Sequence, residues 1–352
     1  MRKEASLMCY VGIDLHKKTS TYVVLDQGGG RIMRKTIASR PEEFRREFSE
    51  FKPGETKVVL EATINWYWVV DVLEELGLEV HLADPKKVRV IAESTIKTDA
   101  VDAMALAQLL RMNWLPESRI TPHPTRMLRD RLRYRITLVR MTTGVKCRIH
   151  AILGKAGVET PAVTDLFGRT GRQWLEEVEL REEYRANLDG YLRTLDGIKE
   201  EIRLVERWLA ERTREDEYVR LLMDIPGIGR FGASLLLAEI GYIGFFRTKR
   251  RLSSFVGVVP GARNSGDKKS DGSLKKDSNR YIRWLLAEAA TKAIRVVPAW
   301  GRLYNRVWGG REKCKGKAKM AVMHKMVCAI WRVLVTKKPF DRLHNCSELN
   351  RA

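Results

Sequence analysis

The order of strand-forming and helix-forming runs in the first 113 residues restricts the fold more than any other feature of this chain. Met8-Cys-Tyr-Val-Gly-Ile-Asp14 favours a strand, Ser20 to Asp26 is a second such run, and Arg31 to Ala38, after the Gly28-Gly-Gly30 turn, is a third. Three short strands with tight connections predict an antiparallel meander. Pro41 opens a charged helical stretch to about Phe51, Lys57-Val-Val-Leu-Glu61 reads as a fourth strand, Trp66 to Leu76 as a helix and Glu79 to Asp84 as a fifth strand. A helix from Pro85 and a longer one from Thr98 to Asn113 complete the unit. A βββαβαβα order implies a mixed sheet, because the later strands return through helices and must lie parallel, with helices covering both faces.

That order is the ribonuclease-H-like one, and four acids stand where such a sheet would bring them together. Asp14 ends the first strand, Glu61 ends the fourth, and Asp99 and Asp102 lie three apart at the start of a helix, which puts both on one helical face. The first and fourth strands are neighbours in this fold, so Asp14 and Glu61 project together toward a carboxylate pair from the last helix. Singly each has an ordinary explanation: Asp14 could cap a turn, Asp99 its helix, and Asp102 could be solvated. Jointly, four carboxylates repel unless cations sit between them. Two divalent ions about 3.5–4 Å apart would relieve the repulsion and serve an in-line phosphoryl displacement. Divalent cations are therefore the expected cofactor.

The charge distribution names the partner class. Residues 1–125 hold 18 Lys and Arg against 18 Asp and Glu, whereas the rest of the chain holds 47 basic and 26 acidic residues, the whole of the net +21. Such an excess attracts a polyanion, and nucleic acid, bound through its phosphates with counterion release, is the expected one. Residues 126–155 form a basic helix in which Arg126, Arg129, Arg133, Arg140 and Lys146 are candidate phosphate contacts around an apolar stripe of Leu132, Ile136, Val139 and Ile149. A heptad follows, with Leu188, Leu195, Ile202 and Leu209 at one position and Tyr191, Ile198 and Val205 at the other. Three heptads suit either a coiled coil between chains or an antiparallel pair within one. Asp224-Ile-Pro-Gly-Ile-Gly229 before an apolar helix has the form of a helix-hairpin-helix turn, with Gly227 and Gly229 presenting backbone N–H groups to a phosphate. A Gly/Ser/Lys-rich loop, Gly261 to Asp277, carries Arg263, Lys268, Lys269 and Lys275, and Arg280 opens the next helix. These features divide the chain at 1–125, 126–216 and 217–352.

Val11-Gly-Ile-Asp14 with Lys17, Leu60-Glu61-Ala62-Thr63, and Lys97-Thr-Asp99-Ala-Val-Asp102-Ala103 resemble the D-E-D-D signature of the RuvC-like domain in insertion-sequence one-ten family transposases. Ile225-Pro-Gly-Ile-Gly229, Glu239-Ile-Gly241, Phe255-x-Gly257-x-x-Pro260, Asn264-Ser-Gly266 and Asn279-Arg-Tyr-Ile-Arg283 resemble that family's C-terminal transposase domain. The resemblance implies a recombinase guided by a structured bridge RNA that pairs with donor and target DNA. It implies a serine that attacks the DNA phosphate while the acids hold Mg²⁺. It also implies dimers that join into a tetramer, with composite active sites. The serine corresponds to Ser265, with Ser270 the main rival and Ser273 and Ser278 behind it; Asn264 and Ser278 depart from the family pattern, where a second serine and a glycine often stand.

A RuvC-like nuclease that resolves junctions by hydrolysis is the competing enzyme reading, since it uses comparable acids but no serine. The five cysteines are scattered without a C-x-x-C pair, which argues against a disulfide framework or zinc knuckle. No apolar run reaches the roughly 18 residues that span a bilayer, so the expected setting is cytoplasmic, at the nucleoid, with no membrane partner.

Overall fold

The computed structural model describes residues 8–91, 98–265, 268–274 and 278–340, with the backbone alone over 260–274. The chain forms two compact units, Met1–His123 and Pro124–Ala352.

In the first unit β1 (Cys9–Leu15), β2 (Thr19–Leu25) and β3 (Arg31–Ala38) form the expected meander. The helix α1 (Pro41–Phe48), β4 (Thr56–Glu61), α2 (Trp66–Glu75), β5 (Glu79–Ala83), α3 (Pro85–Ile91), α4 (Asp99–Arg111) and a short β6 (Glu117–Ser118) follow. The sheet runs β3-β2-β1-β4-β5-β6, with β1, β4 and β5 parallel and the other pairings antiparallel. Order and directions match the ribonuclease-H-like pattern; β6 is an added edge strand too short to signal itself in sequence.

Alternation along the strands sorts side chains between two layers. Val11, Ile13 and Leu15 of β1 and Val58 and Leu60 of β4 face Phe44 and Phe48 of α1 and Val69, Val70 and Leu73 of α2. The opposite face packs Val23 and Leu25 on Ala103 and Ala107 of α4, and Val59 and Ala83 on Leu106, Leu109 and Leu110. Gly12 lies on this second face. A Cβ built there would stand 2.0 Å from the Ala103 carbonyl oxygen and 2.7 Å from the Ala107 nitrogen, so the helix rests directly on bare strand backbone.

The second unit is mainly helical. It contains α5 (His123–Lys155), α6 (Arg169–Glu177), α7 (Glu182–Arg212), α8 (Glu217–Met223), α9 (Arg230–Ile240) and α10 (Lys249–Val256). An antiparallel hairpin of β7 (Pro260–Ser265) and β8 (Lys268–Leu274) follows, then α11 (Arg280–Val296), α12 (Pro298–Trp308) and α13 (Lys315–Thr336). The segment expected as a loop is thus partly a strand pair. Leu188, Leu192, Leu195 and Ile198 of α7 share a core with Leu138, Val145, Ile149 and Leu153 of α5. Arg135 pairs with Glu206 at 2.6 Å across the same two helices. The heptad seam is therefore filled by the chain's own α5, and the choice left open by the repeat resolves toward an antiparallel pair. The stripe on α5 uses Leu138 where Val139 was expected; Val139 is only half-buried. Val322, Met326, Ile330 and Val333 of α13 centre a second core with α8 to α12.

Gly12→Ala should cost on the order of 1–3 kcal/mol, the usual range for overpacking, because the obstructing atoms are helix backbone and cannot rotate away. Urea unfolding of the full chain checks this, and an unchanged midpoint would contradict the packing.

Candidate metal centre

The β1–β4 register pairs Gly12 with Val59 and Ile13 with Leu60, so Asp14 and Glu61 stand side by side one step further. Both lie two residues from positions that face α4, and so share that face. Thr98 caps α4 by accepting from the Val101 N–H at 3.3 Å, which fixes the first turn where Asp99 and Asp102 sit. Close seating of Ala103 on Gly12 brings this turn over Asp14. Asp14, Asp99 and a residue the motif reading passed over, His16, then offer ligand atoms all within 4.8 Å of one another. His16 Nε2 lies 3.1 Å from Asp14 Oδ2 and 3.5 Å from Asp99 Oδ1. The available signal was the Asp14-x-His16 spacing: residues two apart leave a strand on one side.

The acids press on one another. Burial raises the Asp14 pKa above the ordinary carboxylate value; His16 opposes the rise, and the charges of Asp99 and Asp102 reinforce it. Burial also raises Glu61, with Asp14 and Asp102 adding to the rise and Arg89 working against it. Asp14 Oδ2 is buried and makes no properly angled hydrogen bond; the 3.1 Å approach of His16 is an ionic contact by distance only. A buried, under-satisfied carboxylate oxygen facing three more acids fits a divalent cation. Carboxylate oxygens suit Mg²⁺ and Mn²⁺, and the imidazole extends the set toward softer metals.

In the second unit, β7–β8 pairing sets Ser265 opposite Lys268, Asn264 opposite Lys269 and Arg263 opposite Ser270. By strand alternation Ser265, Lys268, Arg263 and Ser270 belong to one face of the hairpin, and Lys269 to the other. Lys275 lies outside the described residues.

Several basic candidates face inward. Arg126 is 1% exposed, Arg129 donates to the Ala238 carbonyl at 2.8 and 3.1 Å, and Arg133 grips both Glu239 oxygens at 2.8 and 3.0 Å. The expected surface position thus fails for Arg126, which is buried, while Arg129 and Arg133 use guanidinium donors inside the unit and stay only partly exposed. Arg129 and Arg133 turn toward α9, where buried Glu239 would otherwise be an uncompensated charge. The same carboxylate accepts from Asn279 Nδ2 at 2.7 Å, while the Asn279 side chain caps α11 and its N–H bonds the Phe255 carbonyl. Arg140 and Arg280 are exposed, and the Lys146 ammonium sits 4.6 Å from the centre of the Phe167 ring. Gly227 takes a left-handed φ of 92° and lets the Ala289 carbonyl approach to 2.4 Å of where a Cβ would be; Gly229 caps α9.

Two family models match the chain. One, for DEDD-type transposases of insertion sequence IS110, covers residues 11–157, and the other, for the transposase IS116/IS110/IS902 family, covers residues 219–305. The transposase for insertion sequence element IS1328 of Yersinia enterocolitica is 26% identical over 80% of this chain and 82% of its own length. The transposase for insertion sequence element IS1111A of Coxiella burnetii is 24% identical over 82% and 78%.

Because the folded-state pKa of Asp14 is raised, its ionisation opposes folding as pH climbs through that raised value, and the opposition vanishes once the group is protonated. In metal-free buffer Asp14→Asn should therefore melt higher than wild type at neutral pH, with the gap closing as pH falls into the carboxylate range. Mn²⁺ should stabilise only the wild type. Thermal melts across pH check both, and a lower neutral-pH melting temperature for metal-free Asp14→Asn would contradict the reading.

Proposed function

The chain belongs to the IS116/IS110/IS902 family of transposases and is a DNA transposase, and from that premise we propose that it exchanges DNA strands through a phosphoserine at Ser265. In this reading residues 1–125 are the RuvC-like acidic domain, 126–216 the helical arm, and 217–352 the domain that presents the serine.

Asp14, Glu61, Asp99 and Asp102 would hold Mg²⁺ or Mn²⁺, with His16 beside Asp14 and Asp99 as a further donor. A divalent ion bound there supplies charge neutralisation at the phosphate and acidity to the attacking hydroxyl. Ser265 Oγ forms the new P–O bond as the bond from phosphorus to a sugar oxygen breaks. The serine proton passes by way of solvent to the departing oxygen, which leaves as a hydroxyl. A hydroxyl of the partner DNA strand then attacks the phosphoserine, restoring Ser265, so the phosphodiester count is conserved and no external energy source is needed. Arg263 and Lys268, assigned by register to the serine's face, would balance the phosphate charge.

The convergence of acids on the α4 face, at the end of two adjacent parallel strands, supports the metal-assisted chemistry, and the serine rests on the resemblance of Asn264-Ser-Gly266 to the C-terminal transposase domain. Guidance by a structured bridge RNA, pairing with donor and target DNA, is part of the same reading. It is supported by the family membership and by the cationic excess beyond residue 125. Dimers joining into a tetramer, with acids and serine contributed by different subunits, complete it. Among the described residues no helix is long and apolar enough to cross a membrane.

Wild type incubated with guide RNA, Mg²⁺ and labelled donor and target DNA should yield a protease-sensitive DNA–protein adduct after denaturation. Ser265→Ala should abolish adduct and strand exchange while keeping nucleic-acid binding, Ser270→Ala should be far milder, and EDTA should stop the reaction. A nuclease that uses water on the same acids would cleave without an adduct, and adduct formation by Ser265→Ala but not Ser270→Ala would move the role to Ser270.

A further inference from the structure

Helices α11 and α13 face each other with matching stripes. Arg280, Arg283 and Trp284 stand at the first, fourth and fifth positions of one stripe, and Lys319, Met320 and Met323 continue the other from Gly316. Stripes of this spacing ordinarily close by interdigitation. Here they leave a cleft of about 410 Å³, within the size range of ligand sites, roughly 300–1,000 Å³.

Its composition is specific. The floor is apolar, formed by half-buried Trp284 and Met320 and buried Met323. The rim carries Arg280, Arg283 and Lys319, and no acid lines the cleft. Arg280 lies 5.5 Å from the Tyr281 ring centre, Arg283 donates to Ser278 Oγ at 3.1 Å, and among the described residues none of the three rim cations is ion-paired. An aromatic side chain beside three cations that no described acid pairs suits a ligand with a flat π surface and a negative charge. In a DNA transposase that ligand is a nucleotide. A base within a duplex is covered by its neighbours on both faces, so it cannot lie on an indole floor; an unpaired base can.

We propose that this cleft binds one unpaired nucleotide of the DNA substrate, its base against Trp284 and the methionines and its phosphate held by Arg280 and Lys319. The proposal uses the transposase activity but not the identity of the nucleophile.

The test uses the full chain. Affinity for a short single-stranded DNA is measured by fluorescence anisotropy beside a duplex of the same sequence, and an iododeoxyuridine-substituted strand is photocrosslinked and mapped by mass spectrometry. Crosslinks should fall on Trp284 or its cleft neighbours. Trp284→Leu should weaken single-strand binding roughly 5- to 100-fold, the value of one base stacked on an aromatic ring, and change duplex binding little. Trp284→Phe should recover most of the loss, and Lys319→Gln should lower the salt dependence by about one phosphate contact. Unchanged single-strand affinity in a folded Trp284→Leu protein, crosslinks mapping elsewhere, or equal losses for single strand and duplex would each overturn the site. If Trp284→Leu does not fold, the crosslink map and Trp284→Phe decide. Tighter Trp284-dependent binding of single-stranded RNA of the same sequence would overturn the assignment to DNA.

Discussion

The seating of α4 on the bare backbone at Gly12 is the contact on which the acidic site depends. A strand residue with any side chain would hold the helix away, because what it would meet is the carbonyl of Ala103 and the nitrogen of Ala107. Helix and sheet therefore touch backbone to backbone at one point, with alanines on the helix and Val23, Leu25 and Val59 around the contact. Everything one turn before Ala103 inherits its position from that contact. The alternation of β1 then guarantees that Asp14 is on the same side as Gly12, and the parallel register does the same for Glu61. A hydrophobic packing rule thus places charges, and the charges have no say in it.

The two units handle buried charge in opposite ways. Glu239 is compensated within its own unit: Arg133 meets both oxygens and Asn279 adds a third hydrogen bond, so the carboxylate can stay buried at modest cost. Asp14 and Glu61 have like charges nearby, and among the described residues His16 opposes the rise at Asp14 and Arg89 that at Glu61. The first arrangement rigidifies; the second holds like charges whose repulsion a divalent cation would relieve. The difference separates an acid that serves architecture from acids suited to chemistry.

Much of the first unit was legible because its signals are local and redundant. Glycines mark the turn after β2, apolar runs rich in valine and isoleucine mark β1, β2 and β4, and Pro41 and Thr98 mark helix starts. The hairpin β7–β8 escaped because Arg263-Asn-Ser265 and Lys268-Lys-Ser270 contain no apolar alternation; only backbone pairing makes them strands. The arginines of α5 show a different limit. Composition gives the sign and number of charges, but Arg129 and Arg133 point inward because Glu239, more than a hundred residues away, is buried there. His16 was missed because a motif of acids draws attention to acids, although its spacing from Asp14 carried the information.

Asn279 gives the hairpin a mechanical character. It ties the chain leaving β8 to Glu239, to the start of α11 and to the Phe255 carbonyl, all at the open end of the strand pair. The six-residue strand β7 spans about 20 Å, with Ser265 at the end next to the turn. Angular error at the root is magnified with length, so a tilt of about 5° there would carry the far end of the strand roughly 2 Å. The stiffness of a buried carboxylate and its three hydrogen bonds then bears on how closely the far end of the hairpin is held, so a small disturbance at α9 would be magnified there.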